Sequence, residues 1–437
     1  MIHENTEKIE IINNNEVPDG YKLTDMGLIP SEWKIKRVKE LVDENIIFKP
    51  MDGNHGALHP TSNDYVPIGI PFVLATDIEN DRLDLINCKY ISKGQADKLQ
   101  KGFAYEGDVL LTHKGSVGNT VVVPKILTEY IMLTPQVTYY RVKNLEMLNN
   151  YYLKNYFQSP LFKKNLEILS KGATRNYIGI VEQQKLAIIL PSNIKEQEKI
   201  SEIFNIWNKA VALTEKLIAQ KKEFKKGITH KLLTGKIRIA GFNSEWQRFE
   251  LGQVIKNKTE KTTINNQYPV LSCTKDGIVL QSEHFNKQIA SENNIGYKIL
   301  CRNELALSPM NLHLGGIDIS NYETGIVSPA YKVYQVDYKR INKDFLRALL
   351  RSEFMIKKYE SISQKGASVV RRNLSISDFE SITITAPKDV LEINAIGKFL
   401  SLLDTELSLL EQELFLLTKQ KDGLMQLLFT GKVRVKY

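Results

Sequence analysis

The sequence predicts an α+β chain of two tandem globular domains, each followed by a long helix. The two helices are expected to pair as an antiparallel coiled coil with pseudo-two-fold symmetry. Two observations predict this: the chain repeats itself, and each repeat ends in heptad-spaced apolar residues. A shift of 196 superimposes Pro191 on Pro387, Glu196 on Glu392, Lys225 on Lys421, and Thr234-Gly235-Lys236 on Thr430-Gly431-Lys432. A shift of 193 superimposes the segment from Leu148 to Lys164 on that from Ile341 to Lys357. Lys171-Gly172-Ala173-Thr174 echoes Lys365-Gly366-Ala367-Ser368, and Glu32-Trp33 echoes Glu245-Trp246. Such collinear matches decide architecture before any local signal does.

In chain order, residues 1–30 form an N-terminal arm, polar and rich in asparagine at its start. The first globular domain occupies 31–193. Its strands are Asp108–Thr112, Asn119–Val123, the β-branched and aromatic run Gln136–Val142, and Lys185–Leu190. Tyr151–Leu169 reads as a helix interrupted at Pro160. A central spacer helix follows over 194–240. The second domain, 241–388, repeats the plan with strands Glu304–Ser308, Ala330–Val336 and Ile382–Thr385 and one helix Lys343–Glu360. The last spacer helix covers 389–437.

The helix seams are read from period seven. In the second helix Ile396, Leu403, Leu410, Leu417 and Leu424 recur, with Leu400, Leu407 and Leu414 beside them. In the first, Ile203, Ala210, Leu217 and Phe224 recur, with Trp207 on the same face and Phe204, Val211 and Ile218 alongside. Gly227 and Gly423 occupy equivalent positions. A mid-helix glycine costs about 1 kcal/mol relative to alanine, so both suggest a close backbone approach or a bend, unless they are tolerated surface residues. Helices of roughly 35 residues would span about 50 Å, or about 15 base pairs of duplex. Two reading heads at their ends would touch a bipartite site with an unread spacer.

Composition sets limits. The chain has 437 residues, 42% hydrophobic and 25% charged, ordinary for a globular protein with real cores. The formal net charge of +9 points weakly to a polyanionic partner. Cys88, Cys273 and Cys301 include no C-x-x-C pair, so reduced thiols are expected in place of a disulfide framework. No run reaches the ~18 apolar residues of a membrane span, and the start of the chain is too polar for a secretory signal. A cytoplasmic protein without a membrane partner is the expectation.

The residues now resemble a known family, the specificity (S) subunits of Type I restriction–modification systems. The resemblance runs from Gly27-Leu28-Ile29-Pro30 and Glu32-Trp33 to Leu427-Leu428 and Thr430-Gly431-Lys432. Its most specific pieces are the paired helix endings, the Gly107–Gly118 stretch GDVLLTHKGSVG, and the duplicated Lys-Gly-Ala segments. It implies two target recognition domains that read an asymmetric, bipartite site on double-stranded DNA, with two methyltransferase (M) subunits as partners and two restriction (R) subunits possible. It also implies a chain without catalysis or a cofactor of its own. S-adenosylmethionine would belong to the methyltransferase, and ATP and Mg to the restriction subunit.

The residues agree with a non-catalytic role. There is no G-x-x-x-x-G-K-[ST] phosphate loop, no dinucleotide fingerprint after a strand, and no Asn-Pro-Pro-Tyr or Asp-Pro-Pro-Tyr tetrapeptide. His55 and His59 lack a third metal ligand. Asp77, Asp81 and Asp84 lack the spacing and closing glutamate of a calcium loop and read as solvated turn residues.

DNA contacts are expected where basic, amide and hydroxyl side chains sit on glycine-containing loops. In the first domain these are His113, Lys114 and Ser116, then Lys171, Thr174, Arg175 and Asn176. In the second they are Asn311 and His313, on a longer and less basic loop, then Lys365, Ser368, Arg371, Arg372 and Asn373. The Lys-Gly-Ala segments equally suit a structural turn under the final strand. The lysines at 221, 222, 225, 226 and 231 suit a solvated helix end through the helix dipole, or contact with spacer phosphates or an M subunit. A tandem scaffold that binds no DNA, and a fragment of a fused restriction–methylation enzyme, are the competing functions.

Overall fold

A computed structural model of the chain describes residues 17–170, 177–284, 291–365 and 372–437. The chain divides into two compact units, Met1–Lys216 with Gln412–Tyr437, and Leu217–Glu411.

The first unit is built on a four-stranded antiparallel sheet ordered Thr120–Val122, Val109–Thr112, Val137–Tyr140, Met51–Asp52. A second four-stranded sheet holds Lys89–Ile91, Tyr65–Val73, Ile131–Leu133 and Phe103–Ala104. The strand Ala187–Leu190 returns to pair antiparallel with Lys34–Arg37. Two helices, Asn150–Gln158 and Pro160–Ser170, lie between them in sequence. Asn149 caps the first through Tyr152 N at 3.0 Å, worth about 1 kcal/mol. Pro160 does interrupt the helical run, and it does so by opening a new helix, where its missing N–H costs nothing.

The second unit repeats the sheet as Ile317–Ile319, Leu305–Leu307, Lys332–Val336, Ile255–Lys258. Trp246–Glu250 pairs with Thr383–Pro387 as Lys34–Arg37 does with Ala187–Leu190. Lys343–Glu360 is not one helix. It breaks into Lys343–Leu350 and Glu353–Ile362, because Ser352 turns extended and caps the second piece through Met355 N. Asn342 caps the first piece through Asp344 N and Phe345 N, matching Asn149 at the shift of 193.

The long helices run Ile194–Leu233 and Val390–Phe429, 40 residues each. In the first unit Phe204 stacks on Phe429 at 5.1 Å, and Lys421 Nζ donates to Asn208 Oδ1 at 2.9 Å. One strand of contact ascends as the other descends, so the helices are antiparallel there. In the second unit Lys222 pairs with Glu411 at 2.7 Å and Lys225 with Asp404, again antiparallel. Burial on the second helix follows the expected seam: Ile396 and Leu400 are buried, and Leu403, Leu410, Leu417 and Leu424 are half-buried.

The first helix departs from its expected seam by one residue. Ile203, Trp207 and Ala210 are half-buried, but Leu217 is 40% and Phe224 is 53% exposed. The buried register is Phe204, Ile218 and Leu232. Adjacent apolar registers compete in this sequence, and the one that meets the partner helix wins. Gly227 and Gly423 are surface residues with open space where a side chain would stand, so neither marks a close approach.

Two glycines elsewhere are required. Gly235 and Gly431, of the repeated Thr-Gly-Lys, sit at φ +69° and +68°. A residue there needs the left-handed conformation that ends a helix. A side chain on Gly431 would strike Pro30, and both glycines pack on a tryptophan, Gly431 on Trp33 and Gly235 on Trp246. The duplicated Thr-Gly-Lys and Glu-Trp segments therefore meet in each unit.

Candidate functional site

In the first unit the loop between strands Val109–Thr112 and Thr120–Val122 carries Lys114, Gly115 and Ser116, all exposed. Thr112 holds its shape: its hydroxyl donates to Ser116 O and accepts from Asn119 N. Gly115 sits at φ +82°, which glycine alone adopts without cost. Lys114 forms an isolated antiparallel bridge with Tyr177, and Ile178 N donates to His113 O at 3.1 Å. This loop and the chain just after the Lys-Gly-Ala segment thus lie side by side. Lys171, Thr174, Arg175 and Asn176 themselves fall outside the described residues.

His113 is corrected. It is fully buried, with Nδ1 donating to Ile178 O at 3.0 Å, and so placed it offers no surface to a duplex. The hydrophobic flank of the strand carries it inward while Lys114 points out, the alternation of a strand end. Burial holds its pKa below the ordinary histidine value, partly offset by the Ile178 bond and by Asp52. Its Nε2 stands 4.0 Å from Asp52 Oδ2.

Asp52 organises a polar cluster beneath this loop. His55 Nε2 donates to it at 2.7 Å, and Lys101 Nζ pairs with its other oxygen. Burial alone would raise the Asp52 pKa, but the hydrogen bonds from Lys101 and His55 outweigh it and the carboxyl is held low. Lys101 and His55 were not expected beside this loop. Only His55 carried any signal, through its glycine-rich surroundings.

In the second unit the corresponding loop joins Leu305–Leu307 to Ile317–Ile319. Asn311 is exposed and His313 half-buried, on a short 3-10 turn over Leu312–Leu314. Asn311 O accepts from both Leu314 N and Gly316 N at 3.0 Å. Leu312 is buried in one core with Met355 and Leu374. Lys365 and Arg372 face each other as backbone partners of a two-stranded ladder with Gln364 and Asn373. Ser368 and Arg371 fall outside the described residues.

Behind each loop the same helix positions grip a carboxylate. In the first unit Lys154 pairs with Asp81 at 2.7 Å, and Gln158 and Asn208 also donate to it. In the second, Arg347 and Arg351, at the equivalent positions, hold buried Asp318 at 2.7 and 2.8 Å. Asp81 is therefore a partner of buried Lys154 and not a solvated turn residue. Its hairpin, at φ +50° and +62° for Asn80 and Asp81, turns it inward.

The basic cluster on the first helix is accounted for mostly by ion pairs. Lys221, Lys222, Lys225 and Lys226 meet Glu406, Glu411, Asp404 and Glu353. Exposed pairs are individually weak, but the three made to the second long helix together favour one alignment of the helices in this unit. Among the described residues no helix is long and apolar enough to cross a membrane, and no group of three or more His, Cys, Asp or Glu could hold a metal ion.

Comparison with known proteins agrees with this architecture. The sequence model of the family described as Type I restriction modification DNA specificity domain matches residues 30–222. The chain named for the MjaX type I restriction enzyme specificity subunit of Methanocaldococcus jannaschii is 23% identical, covering 96% of this chain and 97% of its own. The type I restriction enzyme MjaIX specificity subunit of the same organism is also 23% identical, over 95% and 97%. The solved type I restriction–modification S subunit from M. genitalium superimposes with a TM-score of 0.55 at 15% identity, covering 93% of this chain and 98% of its own. A chain from a structure of type I restriction–modification complex assembly and conformational transition gives 0.53 at 14%, over 93% and 99%. At such identities the superpositions establish the fold. The relatives add matches along nearly the whole length, so the chain is similar throughout to specificity subunits of type I restriction–modification systems, and residues 30–222 match the family's DNA specificity domain.

Proposed function

We propose that this chain reads a bipartite, asymmetric site on double-stranded DNA, one part by each unit, and positions methyltransferase subunits on it. Restriction subunits join where the system has them. The chain does no chemistry itself. The methyl donor S-adenosylmethionine belongs to the methyltransferase, and ATP and Mg to the restriction subunit.

One observation carries this reading. The same loop rises from the same edge of the same sheet in both units, but with different side chains: Lys114 and Ser116 in one, Asn311 and His313 in the other. A shared frame with unlike edges suits two half-sites of unlike sequence. Phosphates would be met by Lys114 and the basic segments that follow the paired helices, and bases by the polar side chains of the loops.

A second feature supports two equivalent partners. Ile206 and Leu213 in the first unit, and Leu402 and Leu409 in the second, are equivalent at the shift of 196. All four are more than half exposed. Each pair stands seven residues apart on one helix face, away from the seam. We read these duplicated exposed aliphatics as a docking strip, and the duplication suits two copies of one methyltransferase subunit.

The test is a salt titration of duplex binding by the chain assembled with a type I methyltransferase subunit. A DNA reader loses affinity linearly in log salt, with a slope of about −0.9 per phosphate contacted. Binding that ignores duplex, or salt, would favour a protein scaffold instead.

A further inference from the structure

We infer that the hairpin tip Lys275–Asp276 is a base-reading element of the second unit, one that reads a G·C pair in the major groove. The inference rests on the DNA-reading function proposed above and assigns residues to it.

The loop of Asn311 and His313 lacks a lysine where its counterpart has Lys114. A cation stands beside it from another element. The hairpin Leu271–Thr274 with Gly277–Leu280 brings Lys275 and Asp276 to its tip, both exposed. Lys275 Cα lies 3.8 Å from the point where a Cβ on Gly315 would stand, so tip and loop are in contact. Between hairpin and loop lies a cleft of about 580 Å³, lined by Ser272, Thr274, Lys275, Tyr297, Asn311 and Tyr331, among others.

The tip is rigid. Thr274 Oγ1 donates to Gly277 O at 3.0 Å and accepts from Asp276 N at 3.1 Å. Arg351 Nη2 donates to Lys275 O at 2.9 Å while its Nη1 pairs with Asp318. A reading residue has to be held within a fraction of an ångström by such support.

The comparison between units explains why this tip faces outward. In the first unit the hairpin Ile78–Glu79 with Arg82–Leu83 packs beside Thr120–Val122, as Gly277–Leu280 packs beside Ile317–Ile319. There the tip residue Asp81 turns in to satisfy Lys154. In the second unit a strand residue, Asp318, satisfies Arg347 and Arg351. The tip is released from that duty and presents a donor next to an acceptor. Lysine suits guanine O6 and N7, and aspartate accepts from cytosine N4, so the adjacent pair distinguishes G·C from A·T.

The experiment uses the full chain with its methyltransferase subunit. Methylated motifs are mapped, and duplex affinity is measured, for the wild type, Lys275→Ala, Asp276→Asn and the exposed control Lys339→Ala. Lys275→Ala is expected to relax one position in one part of the motif and to weaken cognate binding by about 5- to 100-fold. The other part of the motif stays unchanged, which also shows that the variant folds. Asp276→Asn relaxes the same position, and Lys339→Ala changes nothing. An intact motif with unchanged affinity in Lys275→Ala overturns the inference while leaving the DNA-reading function standing. So does a uniform loss over all sequences with the salt slope reduced by about one, which marks a phosphate contact. A wild type that binds no duplex overturns both.

Discussion

Arg434 reaches back to Glu196, donating from Nε at 2.6 Å and from Nη2 at 2.9 Å. Glu196, near the start of the first long helix, is buried, and Trp33 Nε1 donates to the same carboxylate at 3.2 Å. The relationship is reciprocal. Arg238, just past the first helix, grips buried Glu392 at the start of the second, with Ser244 as a further donor at 2.7 Å. Each helix ending thus closes over the beginning of the other helix. The repeated Thr-Gly-Lys supplies the left-handed turn that brings the arginine there. Removing either arginine leaves a buried carboxylate without its cation.

Arg434→Met should therefore loosen the first unit and leave the second intact, and Arg238→Met should do the reverse. Hydrogen exchange reports both. Protection should fall around 33–37 and 194–204 in the first variant, and around 246–250 and 390–400 in the second. Equal loss in both units from either change would show that the clamps are not local.

The seam register of the first helix gives a second test. Ile218→Ala removes a buried side chain and should cost about 2–4 kcal/mol. Phe224→Ala removes an exposed one and should stay within about 0.5 kcal/mol. Urea unfolding midpoints decide, and the opposite ranking would restore the register built on Leu217 and Phe224.

The outward strips predict a stoichiometry. Ile206→Asp with Leu213→Asp, or Leu402→Asp with Leu409→Asp, should leave the fold unchanged and remove one methyltransferase copy each. Native mass spectrometry of the assembled complex should fall from two copies to one in either variant. Two copies retained in both would place the docking elsewhere.

His113 predicts a pH dependence. Its folded pKa lies below the unfolded value of about 6.5 because burial disfavours the charged ring. The unfolded chain then binds more protons near and below that value. Stability is full above about pH 6.5 and is lost as pH falls toward the depressed folded pKa. Between pH 7.5 and 5.5 the wild type should lose stability more steeply than His113→Gln. Identical slopes would mean that His113 titrates normally.

Much of this was legible in the sequence because it was written twice. Glu196 with Glu392, Asn149 with Asn342, and the two Thr-Gly-Lys endings stand at fixed shifts, and the structure gives each pair one local role. The seam of the second helix was legible because leucines fill both of its registers. The first helix offered two adjacent apolar registers, and only the partner helix chose between them. Asp81 looked like a turn residue because its partner Lys154 is 73 residues away. His113 looked like a surface ligand because it stands one residue past the end of its strand, Val109–Thr112, where a loop residue is expected. Lys101 and Lys275 reach the candidate loops only through the tertiary fold, and no local pattern announces them.

The central claim, that two unlike reading edges on one duplicated frame address a methyltransferase to DNA, is tested most directly by methylome sequencing. Cells expressing this chain together with a type I methyltransferase subunit would be compared with cells expressing either alone. The account predicts methylated adenine in one motif of two unlike half-sites around a fixed gap, present only when both proteins are present. A single uninterrupted motif, a motif independent of this chain, or no motif from an assembled complex would contradict it.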